Sequence, residues 1–273
     1  MTNAADPFTK FKAAQREAWA LFAPVEINTI MPAAKLVKFA QVGPGQKVLD
    51  VACGTGVVAV TAARRGAKVS GLDLSPALLD RARQNAEIAG VDIAFSEGDV
   101  EALPYPDASF DVVLSQFGHI FGPRPAVAVK EMLRVLKAGG RIAFSTWPPE
   151  HYTGLMFALI GRYSPALPAG SDQPAPPPLW GDPNIIRERL GDLVTDLQFE
   201  RETLLAPTLS PQHSRTRQER TVGPLAKTVE SLNDNPARLA ELRTGLEALA
   251  GEVFEDNALH QHFLMTRAIK KAL

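Results

Sequence analysis

Three carboxylates recur at matching places in the first hundred residues. Asp50 interrupts the apolar run Lys47–Val51 (KVLDV), Asp73 ends the run Val69–Asp73 (VSGLD), and Asp99 closes the segment that begins at Phe95 (FSEGD). An acid inside a β-prone apolar run costs energy unless something polar meets it. Gly54-Thr55-Gly56 follows the first run, and a helix-like stretch of small apolar residues, Val57–Ala63, follows the glycines. Strand, glycine turn and helix together bring backbone amides and a helix N-terminus close to a bound small molecule. Asp73 has the chemistry to take both hydroxyls of a ribose. Asp99 can accept from an exocyclic amine while the Val100 amide donates to the neighbouring ring nitrogen, the pair of groups that adenine presents on one edge. A turn cap is the plainer role for Asp99. Gly54, Gly56 and Ala59 also satisfy the G-x-G-x-x-A dinucleotide fingerprint, so an oxidoreductase using a nicotinamide dinucleotide competes with any other nucleotide-binding reading.

These acids need a frame. The pattern predicts strands over 48–51, 68–73, 91–96, 110–114 and 141–146, alternating with helices over 57–66, 77–89 and 127–136, the last of them stopped by Gly139-Gly140. Ser75-Pro76 is an N-cap followed by proline at the first helical position. Strand–helix alternation of this kind implies a parallel sheet with right-handed crossovers, and ligands of such sheets sit beyond the carboxyl ends of the strands. Upstream, Phe11, Ala14, Ala18, Trp19 and Phe22 lie at helical spacing, Pro24 ends that helix, and a second spans 27–40; residues 1–7 read as a frayed tail. Downstream of Trp147, prolines punctuate the chain as far as Pro183, with one short apolar helix over 155–160. Further helices are predicted over 184–190 and, two or three of them, within 212–254. A sixth strand is predicted over 194–205; the apolar residues at period two in 259–269 suit a last strand but leave helix open.

Four ordered motifs, VLDVACGTG at 48–56, GLDLS at 71–75, GDVEALPYPDASFDVV at 98–113 and RVLKAGGRIAFSTW at 134–147, make the chain resemble class I S-adenosylmethionine (SAM)-dependent methyltransferases, in particular the branch similar to ubiquinone/menaquinone-biosynthesis C-methyltransferases. The resemblance is strong over 47–147 and thin on either side. It implies an α/β, Rossmann-like class I methyltransferase fold: a mostly parallel seven-stranded sheet with helices on both faces and a helical, Pro-rich cap. It divides the chain into an N-terminal helical lid (1–46), a SAM-binding core (47–147), and an acceptor cap with closing strands (148–273). The implied cofactor contacts are adenine on Asp99 and Val100, ribose on Asp73 beside Leu74, and the methionine part over Gly54, Thr55 and Gly56. Asp50 orients the turn, and the backbone around Ala52 and Ser115, next to Gln116, accepts from the ammonium. The expected products are a methylated metabolite and S-adenosylhomocysteine (SAH).

Methyl transfer to carbon or oxygen needs a base only where the acceptor must lose a proton. His119, three residues past Gln116, is the candidate base, with His151 second; a packing role is the common one for a lone histidine. Trp147, Tyr152 and Trp180 are candidate walls of an acceptor pocket. No Asn/Asp-Pro-Pro-aromatic tetrapeptide follows the fourth strand, where Ser115-Gln116-Phe117-Gly118 stands instead, which argues against the amino-group methylases that share that motif. The expected acceptor is a small apolar or aromatic metabolite. A non-catalytic SAM-binding regulator is a further alternative.

The 273 residues are 45% hydrophobic with a formal net charge of −1, enough apolar material for a core and no basic footprint for nucleic acid. Arg215, Arg217 and Arg220 form only a small local cluster. Cys53 is the single cysteine, which excludes an intramolecular disulfide and disfavours a Cys-based metal site; no metal is expected. The expected setting is cytoplasmic, with neither signal peptide nor membrane span. A homodimer stays open.

Overall fold

Val48, Leu49, Asp50 and Val51 are all buried, because strand β1 (Lys47–Val51) is an interior strand, the middle one of the five parallel strands, and both of its faces are covered. In the computed structural model, which describes residues 6–164 and 172–272, β1 pairs in parallel with β2 (Lys68–Asp73) on one side and with β4 (Phe110–Gln116) on the other. The tail expected over 1–7 lies mostly, and the middle of the Pro-rich stretch wholly, outside the described residues.

The chain starts with α1 (Thr9–Ala18), a 3-10 turn over Trp19–Val25 and α2 (Ile27–Phe39). After β1 it continues through α3 (Val57–Ala63), β2, α4 (Pro76–Ile88), β3 (Ile93–Glu97), β4, α5 (Pro125–Val135) and β5 (Leu136–Thr146). Then follow α6 (Tyr152–Tyr163), α7 (Pro183–Leu190), β6 (Val194–Pro207), α8 (Pro211–Thr221), α9 (Gly223–Ser231), α10 (Pro236–Gly251), the two-residue β7 (Phe254–Glu255) and β8 (Ala258–Lys270). The strand order is β3-β2-β1-β4-β5-β8-β6, with β7 paired to β8 off this path. The five strands from β3 to β5 are parallel, while β8 runs antiparallel to both β5 and β6. The mostly parallel seven-stranded sheet flanked by helices is therefore as expected, with β7 added. Between β1 and β4 the order of strands reverses, which puts a crevice at their carboxyl ends.

Several boundaries differ from the sequence reading. Gly139-Gly140 does not stop a helix; α5 passes directly into β5, and the glycines lie inside that strand, where the pairing with β4 shifts register between Phe110 and Val112. Gly140 is required there because a Cβ would meet the Asp111 carbonyl oxygen at 3.0 Å. The helix expected over 8–22 ends at Ala18, and Pro24 falls inside a 3-10 turn that its fixed φ tolerates. The short helix expected over 155–160 spans Tyr152–Tyr163. Residues 258–270 are a strand: its pairing with β5 and β6 resolves what periodicity leaves ambiguous.

The segments before β1 and after β5 meet over the crevice. α1 packs on α9, the 3-10 turn packs on α4, α8 and α9, and α10 packs on α6 and α8. Gly223 makes the first of these contacts possible. A Cβ there would lie 2.5 Å from the Ala18 carbonyl oxygen, backbone that no rotamer change can move aside. Gly223→Ala, at the first position of α9, is therefore expected to destabilise the protein by about 1–3 kcal/mol through overpacking. Urea denaturation checks it, and a more stable variant contradicts the contact.

Candidate functional site

The glycine turn is bound to the end of β2 by one side chain. Asp73 Oδ2 accepts from the Gly54 amide at 2.7 Å, and Oδ1 accepts from the Ser75 amide at 2.8 Å. The Cys53 amide donates to the Leu72 carbonyl at 2.9 Å. Ala52, Gly54 and Gly56 all have positive φ, at 53°, 53° and 78°, so the backbone doubles back on itself directly after β1. Asp50, 1% exposed, accepts from the Ala59 amide through Oδ2 at 3.0 Å, while its Oδ1 has no partner. Burial pushes the carboxyl of Asp50 well above its usual range, with the charge of Asp73 adding to the effect. Burial raises Asp73 as well, against the pull of its backbone amides.

Asp99 is held from the opposite side. Its Oδ1 accepts from the Glu101 amide at 2.9 Å, and Lys12 of α1 reaches Asp99, Glu101 and Asp6, each at 2.7 Å. Arg124 closes the group through Glu101 at 2.7 Å. Ligand atoms of Asp6, Asp99 and Glu101 lie within 4.8 Å of one another, but the cation they share is Lys12. The Glu26 carboxylate, just before α2, accepts from Asn85 at 2.9 Å, and the same amide donates to the Thr55 carbonyl at 2.9 Å. The N-terminal helices are thus tied by charge or hydrogen bond both to the third acid and to the glycine turn.

A cavity of about 270 Å³ opens between these groups and the segments that follow β5. Asp50, Ala52, Gly54, Thr55, Asp73, Leu74, Asp99, Val100 and Gln116 line it. Three candidates do not. Gly56 caps α3 and faces α4, where a Cβ would stand 3.0 Å from the Ala82 Cβ. Ser115 is fully buried and its hydroxyl donates to the Val51 carbonyl at 2.7 Å, joining β4 to β1. His119 does not stand at the mouth as a base. It is fully buried between Phe144 and Trp180, at ring distances of 4.8 and 4.6 Å, with both ring nitrogens unpartnered. Burial, with the charge of Arg189, pushes its pKa down to about 3. Phe121, two residues on, takes the place at the cavity wall. His151 also lies off the wall, hydrogen-bonded to Arg201 at 3.0 Å and beside the ring of His262.

The other half of the cavity is aromatic. Phe117 and Trp147 stack at 4.0 Å and 13°, and Phe117 holds φ at 61°, a strained value for a bulky residue. Trp19, Phe22, Phe121 and Phe157 complete this side. Tyr152 lines it as expected, whereas Trp180 packs behind it on His119. Lys12, Phe117, Gln218 and Thr221 escaped the sequence reading, and Arg217 entered it only as surface charge. One signal was present: apart from Pro211, α8 (PQHSRTRQERT) contains no apolar residue, yet the chain places it inside a fold.

The methyltransferase-domain family profile matches residues 48–140. An uncharacterised protein of Mycobacterium tuberculosis is 34% identical over 263 residues, 95% of each chain. Demethylmenaquinone methyltransferase of Deinococcus radiodurans is 42% identical over 120 residues, 43% of this chain and 49% of that protein. Among solved structures, geranyl diphosphate methyltransferase in complex with SAM is similar in fold, with a TM-score of 0.54 at 18% identity over 88% of this chain and 85% of that one. No single helix among the described residues is long and apolar enough to cross a membrane.

The environment of His119 makes a measurable demand. Its folded pKa of about 3 lies below the ordinary 6.5, so below pH 6.5 the unfolded chain binds a proton that the folded chain refuses. Stability falls as pH drops from 6.5 toward 3, by about 1.4 kcal/mol per pH unit from this group. His119→Phe is expected to remove about 2 kcal/mol of the stability lost between pH 7 and pH 5. Urea denaturation at the two pH values checks it, and identical losses in parent and variant contradict the buried, neutral imidazole.

Proposed function

The chain belongs to the class I SAM-dependent methyltransferases, and from that premise we propose that it methylates a carbon or an oxygen of a small, largely apolar or aromatic metabolite. The observation that carries this reading is one cavity with two unlike halves, acids and a glycine turn on one side and stacked aromatic rings on the other. The competing reading as a dinucleotide oxidoreductase falls with the family.

The residues present fit SAM. The buried Oδ1 of Asp50 lacks a partner, and no atom stands within 4 Å of where a Gly54 Cβ would be. Two desolvated carboxylates beside such a space favour a cation. When bound, SAM supplies a methyl group already activated by its sulfonium. The backbone from Ala52 to Thr55 and the Asp50 carboxylate would hold the amino-acid end, Asp73 and Leu74 the ribose, and Asp99 with Val100 the adenine. Lys12 then shares Asp99 with the adenine amine. Gln116 donates to the Thr29 carbonyl at 3.0 Å and keeps the lid segment against the end of β4. Phe117, Trp147, Phe121 and Phe157 shape the acceptor space and exclude water, the main task left to a protein whose methyl donor is preactivated.

Titration calorimetry with SAM and SAH tests this. Because burial raises Asp50 and Asp73, a cationic ligand favours their charged forms. SAM is expected to bind more tightly as pH rises from 5 to 7 and to release protons on binding, with a smaller trend for SAH, which lacks the sulfonium. Asp73→Asn is expected to weaken both by at least about tenfold, or 1.4 kcal/mol. Unchanged affinity in that variant, with its fold intact, removes the assignment. Formation of SAH alongside a methylated phenol, quinol or enol from an acceptor panel tests the metabolite class.

A further inference from the structure

Helix α8 inverts the usual amphipathic pattern. Ser214, Arg217, Gln218 and Thr221 fall at i, i+3, i+4 and i+7, one face of a helix. That face points inward: Ser214 and Thr221 are buried, and Arg217, Gln218 and Thr221 line the cavity. Buried polar groups cost about 1–3 kcal/mol each when unpaired, so an inward polar face calls for partners. Gln218 finds them within the protein, donating to the Tyr152 hydroxyl at 2.9 Å and to Ser214 at 3.2 Å, while the Tyr152 hydroxyl reaches the Gln218 side-chain oxygen at 3.1 Å.

Arg217 does not. Its Nη1 donates to the Pro207 carbonyl at 2.8 Å, and among the described residues no carboxylate pairs with it. Its neighbour Arg215 differs, meeting Glu219 and Glu247 at 2.6 Å. A guanidinium is permanently charged and carries five donors; one without a counter-charge beside aromatic walls selects an anion through charge-assisted hydrogen bonds. The aromatic half also lacks a base among the described residues. Tyr152 and Arg217 are its only titratable groups; burial raises the Tyr152 phenol and keeps it protonated, and His119 and His151 are off the wall.

We propose that the acceptor is a conjugated oxyanion, the conjugate base of an acidic phenol or enol, with one end of its delocalised charge on Arg217 and its nucleophilic oxygen toward the methyl donor. This rests on the methyl-transfer reading above and narrows it to oxygen. The acceptor's proton leaves to solvent before binding. Its oxygen then bonds to the methyl carbon as the carbon–sulfur bond breaks and the electron pair goes to sulfur; the negative oxygen and the positive sulfonium both become neutral, and no proton moves in the site. Attack through a ring carbon would leave a proton to be removed there, for which this wall offers no group.

The test uses the protein saturated with SAH and two phenols of similar size, 4-nitrophenol and 4-methylphenol, followed by calorimetry. Above its own pKa, 4-nitrophenolate is expected to bind at least about tenfold more tightly than 4-methylphenol, and to lose that advantage once protonated. Arg217→Gln is expected to erase the difference and Arg217→Lys to keep part of it, with SAH affinity unchanged in both variants. With SAM, the acid limb of kcat/KM is expected to move with the acceptor's pKa across a ring-substituted series. Equal binding of the two phenols, an advantage that survives Arg217→Gln, a ring-methylated product, or an acid limb fixed at one pH overturns the inference while SAH binding leaves the methyltransferase reading standing. Failure of the parent protein to bind SAM and SAH sinks both.

Discussion

Two carboxylates buried under one glycine turn set the terms for the rest of the molecule. Asp73 is committed to the Gly54 and Ser75 amides, and half of Asp50 is committed to the Ala59 amide. Charge held this far from water is stable only beside donors or a cation. The backbone amides meet part of that requirement and give the turn its shape. What they leave unmet is the free oxygen of Asp50, a residue of the cavity lining. The shape of the turn and the unmet acceptor beside it therefore come from the same electrostatic constraint.

The N-terminal helices answer the same constraint at the third acid. Lys12 is only 12% exposed at its side chain and bridges a cluster of three carboxylates, with Arg124 as a second cation on Glu101. The helix carrying Lys12 also carries Phe11 and Gln15 into the cavity wall, so the ion pair at Asp99 and the position of α1 are physically linked. Glu26, bonded to Arg81 and Asn85, anchors the other end of the same segment to α4.

The aromatic side of the cavity shows how a helix can turn polar side chains inward without an apolar stripe. α8 is placed by its neighbours, packing on α9, α10 and the 3-10 turn, and so it can turn a polar face inward. The adjoining α10 supplies Leu242 and Leu246 to the core. Aromatic rings from four separate segments, represented by Trp19, Phe117, Trp147 and Phe157, then meet around that face.

Much of this was legible in the residue order. The alternation of apolar strands with small-residue helices, the Gly54–Gly56 turn and the acids at strand ends follow from local rules, since neighbours in the chain decide them, and the parallel sheet follows from that alternation. His119 shows where local rules stop. Spacing puts it three residues past Gln116 and directly after the cavity residue Gly118, but the 3-10 turn over His119–Phe121 rotates successive side chains apart, so Phe121 meets the cavity and the imidazole meets Trp180. Gly139-Gly140 likewise has the look of a helix stop until strand pairing claims it. Lys12, Gln218 and Arg217 reach the cavity from positions far along the chain from the glycine turn. The sequence by itself determined the parallel strands, their order of alternation with helices and the glycine turn, because those depend on contacts within βαβ units. Only the tertiary structure decided the grip of α1 on Asp99, the burial of His119 and the inward face of α8, because each depends on which distant segments pack together.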